Sequence, residues 1–152
     1  MMDIEKVLER DGFYVGTPIG DSMWPLLRGR VDSVVLRKES EPRKYDVMLY
    51  RRANGQLVLH RYYGRDRKGR RLFAGDNQTR FERQNEDAEI LAVMIAYYKG
   101  EKKYYVDQYP NRLYDIFWVR LFFPRVPVIY IRSLVKKIKK SRNRRKSAEK
   151  AD

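Results

Sequence analysis

A mainly β domain, with a short amino-terminal helix and a helical, basic carboxy-terminal appendage, is the fold class the sequence predicts. Short runs of β-branched and aromatic residues recur between turn residues from Phe13 to Tyr98, an Asn-Gly pair separates two of these runs, and the character turns aromatic and basic beyond Gly100. A chain of 152 residues with 43% hydrophobic content is long enough to bury one real core.

The elements follow in order. Asp3 stands before Ile4, Val7 and Leu8, with Glu5 early and Arg10 late, so residues 1–12 read as an amphipathic helix stopped at Gly12. Phe13 to Val15 is a strand, after which Gly16, Pro18 and Gly20 break regular structure just before Asp21-Ser-Met-Trp-Pro25. Strands are then expected at Ser33 to Arg37, Val47 to Tyr50, Leu57 to Tyr63, Arg71 to Ala74 and Ile90 to Tyr98. Asn54-Gly55 predicts a hairpin through a tight primed turn, and Asp66-Arg-Lys-Gly69 a second turn of that kind. The domain is expected to span 13–100, the appendage 101–140 and a disordered basic tail 141–152.

The net charge of +14 exceeds what solubility needs and implies a polyanionic partner, but its location matters. Residues 132–152 carry ten basic and two acidic side chains, more than half of the excess. The absence of Cys excludes disulfides, iron–sulfur clusters, a thiol nucleophile and the usual zinc sites, and one His cannot build a multi-histidine metal centre. No metal or other cofactor is expected. Residues 1–12 alternate acids and bases without an apolar signal-peptide stretch, so the active part is expected to face the cytoplasm. The apolar stretch from Leu113 to Val135 is interrupted by Asp115, Arg120, Arg125 and Arg132 and by two prolines, and is not expected to cross a bilayer.

Pro18-Ile-Gly-Asp-Ser22-Met-Trp-Pro25 packs helix-hostile residues and a serine into a sharp turn. A serine displayed this way is either a nucleophile or an ordinary turn residue. His60, the one imidazole, is either the base that such a serine needs near pH 7 or a satisfied core residue. Strict alternation along Leu57-Val-Leu-His-Arg61 places His60 on the face of Val58 and opposite Leu57, Leu59 and Arg61.

Gly20-Asp-Ser-Met-Trp-Pro25, Val34-Val-Leu36, Tyr45-Asp-Val-Met-Leu-Tyr50, Leu57-Val-Leu-His-Arg61 and Phe73-Ala-Gly-Asp-Asn77 together resemble, in order and spacing, the boxes of the serine peptidases typified by signal peptidase I and the LexA-type self-cleaving repressors. The resemblance covers about Phe13 to Gly100 and implies that family's β-ribbon catalytic core. It assigns the nucleophile to Ser22. His60 stands where bacterial signal peptidases and the repressors carry Lys, which is the pattern of the Ser/His signal peptidases. In that branch the Gly-Asp-Asn box supplies the acid, so the resemblance implies Asp76, with Glu82 as a second candidate. The oxyanion hole would come from backbone donors of the Gly20-Asp21-Ser22 turn, and Met23 and Trp24 are candidates for lining the substrate cleft. Tyr45 stands where the family commonly has Gly, and Gly29-Arg-Val-Asp32 replaces its usual Gly-Asp.

The implied activity is hydrolysis of a peptide bond in a precursor protein or peptide. The alternatives are a non-enzymatic basic module that binds nucleic acid and an inactive relative of the same fold. In the appendage, Pro127 suits the first turn of a helix that aligns Val128, Ile131, Leu134, Val135 and Ile138 on one face. Lys136, Lys137, Lys139 and Lys140 flank that stripe, and Tyr104, Tyr105, Tyr109, Tyr114, Trp118 and Tyr130 favour headgroup level. Either the stripe packs on the β core or it lies on an anionic membrane surface, holding the enzyme peripherally without a transmembrane helix.

Overall fold

The computed structural model describes residues 4–41, 43–85, 88–108, 111–120 and 122–148; Asp3, Tyr109 and the last four residues lie outside that set. The first helix, α1 (Ile4–Asp11), ends where Gly12 adopts φ +73° and donates its N–H to the Leu8 carbonyl at 3.0 Å, a cap that a side chain would strain. Eight strands follow: β1 (Phe13–Gly16), β2 (Ser33–Lys38), β3 (Val47–Arg51), β4 (Leu57–Arg65), β5 (Arg71–Ala74), β6 (Glu82–Gln84), β7 (Glu89–Lys99) and β8 (Lys102–Tyr105). They form one antiparallel sheet in the order β1-β2-β7-β3-β4-β5-β6, with β8 against the far half of β7.

The mainly β expectation holds, and every strand read from the sequence is present. Two are additional. β6 is only three residues, Glu-Arg-Gln, with no apolar signal. β8 lies in the segment assigned to the appendage, so the sheet continues past Gly100 to Tyr105; its Lys-Lys-Tyr-Tyr run pairs with β7 and stacks Tyr104 on Tyr97 at 5.3 Å.

The two hairpin turns are where expected but are of another type. Gly55 (φ +82°) and Gly69 (φ +77°) are left-handed, whereas neither Asn54 nor Lys68 is. Gly55 N–H bonds the Arg52 carbonyl and Arg52 N–H the Gln56 carbonyl; Asp66, Gly69 and Arg70 repeat that pattern. Each loop is a three-residue turn closed by a glycine bulge, rather than a two-residue primed turn.

β3 is buried on both faces. Val47 and Leu49 enter a core with Leu8, Met23, Leu26, Leu27, Leu36 and Met94, and Met48 and Tyr50 enter a second with Tyr62, Phe73, Ile90 and Val93. That double burial explains its unbroken apolar run.

Beyond the sheet, α2 (Asn111–Tyr114) continues through a π-helical segment, Asp115–Arg120, toward α3 (Phe122–Ala148). Pro127 therefore lies inside α3 rather than at its start, and Pro124 takes the first-turn position where a missing N–H costs nothing. The helix also runs through 141–148, where a disordered arm was expected; no Gly or Pro interrupts that stretch. No helix among the described residues is long and apolar enough to cross a membrane.

Candidate active site

The serine turn is built by burial around it. Met23, Leu26 and Leu27 are sunk in the core, Leu27 N–H bonds the Met23 carbonyl at 2.9 Å, and Trp24 N–H bonds the Asp21 carbonyl at 3.1 Å. Fully buried Asp32 closes the far side, accepting Arg28 N–H at 2.8 Å and the Arg28 guanidinium at 2.7 Å. Burial opposes its charge, but those bonds prevail and hold its carboxyl below the ordinary range. The Gly29-Arg-Val-Asp32 departure is thus a structural clasp. A Cβ on Gly29 would meet the Gly20 carbonyl oxygen at 2.5 Å, so the two arms of the turn touch there. Ser22 is left half-buried at the apex, with Gly20 and Asp21 exposed beside it.

The serine is fastened to the strand next to that of His60. Asn77 N–H donates to the Ser22 carbonyl at 2.8 Å, and Asn77 Nδ2 donates to the Asp21 carbonyl at 3.2 Å. A Cβ on Gly75 would lie 3.0 Å from Ser22 Cβ and 2.9 Å from its carbonyl carbon, so only glycine admits this approach. The β4–β5 ladder ends at the pair of Arg61 with Ala74, so Gly75 follows the last paired residue of β5 and His60 precedes its partner on β4.

His60 shares its face of β4 with Val58, as alternation requires, and is 2% exposed. Burial pushes its pKa down to about 4; the attraction of Glu82 opposes this, Arg52 adds to it, and Asp76 opposes it more weakly. The imidazole is accordingly neutral at pH 7, able to accept a proton. Its Nδ1 lies 3.4 Å from the Tyr50 hydroxyl and 3.7 Å from Glu82 Oε2. Burial raises the Tyr50 phenol well above its usual pKa, so it stays protonated and bonds the same carboxylate. Glu82 is itself gripped by Arg52, whose Nε donates at 2.6 Å; burial alone would raise the Glu82 carboxyl, but the guanidinium holds it below its usual range.

Asp76 is occupied elsewhere. Its two oxygens accept Arg61 Nε and Nη2, each at 2.9 Å, and Oδ2 also accepts the Tyr114 hydroxyl at 2.8 Å. The alternation of β4 explains why: Arg61 points away from His60, and Asp76 turns to that side to neutralise a buried guanidinium. Of the two acids proposed from the sequence, Glu82 is the one at Nδ1. The two cleft candidates are placed differently. Met23 is 2% exposed within the core, and Trp24 meets Trp118 edge-on at 6.3 Å beneath the Arg132 guanidinium at 3.6 Å.

Two residues of this constellation went unread in the sequence, Tyr50 and Arg52. The signal existed, since the hairpin register pairs Met48 with His60 and places Tyr50 two residues along on the same face. An open concavity of about 410 Å³, lined by Asn77 to Glu82, runs from the residue bonded to Ser22 to the residue beside His60. A more enclosed cavity of about 380 Å³ lies on the Arg61 side, between Tyr45, Asp46, Asn111 and Asp115, and contains neither Ser22 nor His60. Among the described residues no group of His, Asp and Glu is placed to hold a metal ion. No family model matches the chain, and no curated protein matches it.

Proposed function

We propose that this protein is a serine endopeptidase of the signal peptidase type, with Ser22 as nucleophile and His60 as general base. The observation that carries the reading is the glycine bridge: Gly75 brings the Ser22 turn against the strand beside a neutral, buried imidazole. We assign the imidazole proton to Nδ1, toward the Tyr50 hydroxyl with Glu82 behind it, which makes Nε2 the acceptor. It takes the Ser22 Oγ proton as Oγ bonds the scissile carbonyl carbon, and the resulting imidazolium protonates the departing amine. Water, deprotonated by the same Nε2, then releases the acyl group and restores Ser22. Backbone donors of the Gly20-Asp21-Ser22 turn face the developing oxyanion. Glu82, relayed by Tyr50, stabilises the imidazolium, and Asp76 keeps the turn in place through Arg61 and its own neighbours Gly75 and Asn77. The substrate is a peptide or precursor protein laid along the Asn77 to Glu82 concavity.

The test is labelling by a fluorophosphonate probe, compared between the wild type and Ser22→Ala. Ser22-dependent labelling supports the enzyme. A folded wild type that stays unlabelled identifies an inactive relative of the fold.

A further inference from the structure

The long helix is docked the opposite way round from an ordinary surface helix. Its inward residues include arginines: Arg125 is 0% exposed, donating to the Tyr63 hydroxyl at 2.8 Å and the Gln78 carbonyl at 3.0 Å. Two turns on, Arg132 lies over the Trp24 ring and 3.5 Å from Asn77 Oδ1. Between them Ile129 is half-buried. At about 100° per residue these three share one side of the helix. Val128, Ile131, Leu134, Val135 and Ile138 fall in an arc of about 120° on the other side, and each is more than 40% exposed. The sequence left open whether this stripe packs on the β core; it faces solvent, and the core is contacted by arginine instead. Lys137 and Lys139 are exposed, and they project from the two margins of the arc.

We infer that α3 is an interfacial anchor for an anionic lipid leaflet, with its outward apolar arc immersed at headgroup level and the lysines on either margin meeting lipid phosphates. An apolar arc of this width bordered by cations on both sides matches the plane of a charged bilayer surface. The inference deepens the peptidase reading by fixing where the substrate lies. Arg132 rests on Trp24 and Asn77, and Asn77 bonds the Ser22 carbonyl, so the inward side of the anchoring helix is one residue removed from the proposed nucleophile.

Co-sedimentation of the full chain with phosphatidylcholine vesicles, with and without 30% phosphatidylglycerol, tests this. Binding to the anionic vesicles should exceed binding to neutral ones by at least about tenfold and weaken as salt rises. Lys137→Ala should weaken it about fivefold, the equivalent of roughly 1 kcal/mol per surface cation. Ile131→Asp with Leu134→Asp should abolish it while leaving Ser22 labelling intact. Ser22→Ala should bind as the wild type does, so loss of the peptidase reading leaves this one standing. Equal pelleting with both vesicle types overturns the anchor, as does a self-association that Ile131→Asp disrupts, or binding to RNA tighter than to anionic vesicles.

Discussion

Arg61 grips Asp76 with two parallel hydrogen bonds of 2.9 Å in a site where both side chains are nearly inaccessible to water. A buried ion pair of this kind is not replaceable one partner at a time, because Arg61 would keep its desolvation cost with only the more exposed Asp115, 3.1 Å from Nη1, as counter-charge. Asp76→Asn should therefore destabilise the fold by about 3–5 kcal/mol in urea denaturation. A loss below about 1 kcal/mol would return Asp76 to the role of a simple catalytic acid.

The carboxylate that tunes His60 should reveal itself in the pH–rate profile. Glu82 attracts the imidazolium more strongly than Asp76 does, so Glu82→Gln should move the acidic limb further down than Asp76→Asn. If Asp76→Asn produces the larger displacement, the assignment reverses.

Tyr50 stands between His60 Nδ1 and Glu82, and Tyr50→Phe removes only the linking hydroxyl. The ring still stacks on Phe73 at 4.2 Å, so stability should change little while cleavage falls by at least about tenfold as the tautomer is released. Unchanged kcat in a folded Tyr50→Phe would remove Tyr50 from the mechanism.

His60 also makes stability depend on pH with a definite sign. Its folded pKa of about 4 lies below the ordinary 6.5, so the unfolded chain takes the proton first. The contribution is fully present above pH 6.5 and is lost as pH falls toward 4, amounting to about 3 kcal/mol. Thermal melts of the wild type and His60→Gln from pH 7.5 to 4 should converge by that amount. Parallel curves would contradict a neutral buried imidazole.

Gly75→Ala places a methyl group against Ser22 Cβ and its carbonyl. Cleavage and probe labelling should fall together by about two orders of magnitude, because a displacement near 1 Å suffices. Full labelling in Gly75→Ala would show that the turn and strand are not in register for chemistry.

The strands were legible because apolar residues alternate or run unbroken between turn residues, and Ser22 and His60 stand out as candidates because each is the only residue of its chemistry in an ordered box. The partner of His60 was not. Choosing between Asp76 and Glu82 depends on which way each side chain turns at a strand end, and the large positive residue at 61 decided it by demanding a counter-charge. Turn type was equally hidden: Asn54-Gly55 suits both a two-residue and a three-residue loop, and the ladder pairing Arg51 with Leu57 selects the longer. Tyr45 shows the converse case, a side chain at φ +78° where glycine would be at ease, kept there by ring contacts with Tyr63 at 5.8 Å and Arg120 at 5.5 Å.

β7 has a consequence for how the candidate site is assembled. It pairs with β2 on one edge and β3 on the other, and it is made after both. Without it the ladder divides into two ribbons, β1-β2 carrying the loop of Ser22 and β3-β4-β5-β6 carrying His60 and Glu82. Ser22 and His60 thus belong to different ribbons until Glu89–Lys99 is inserted between them, a closure of high contact order and hence slow. A nascent chain therefore keeps Ser22 and His60 on separate ribbons until its seventh strand has emerged.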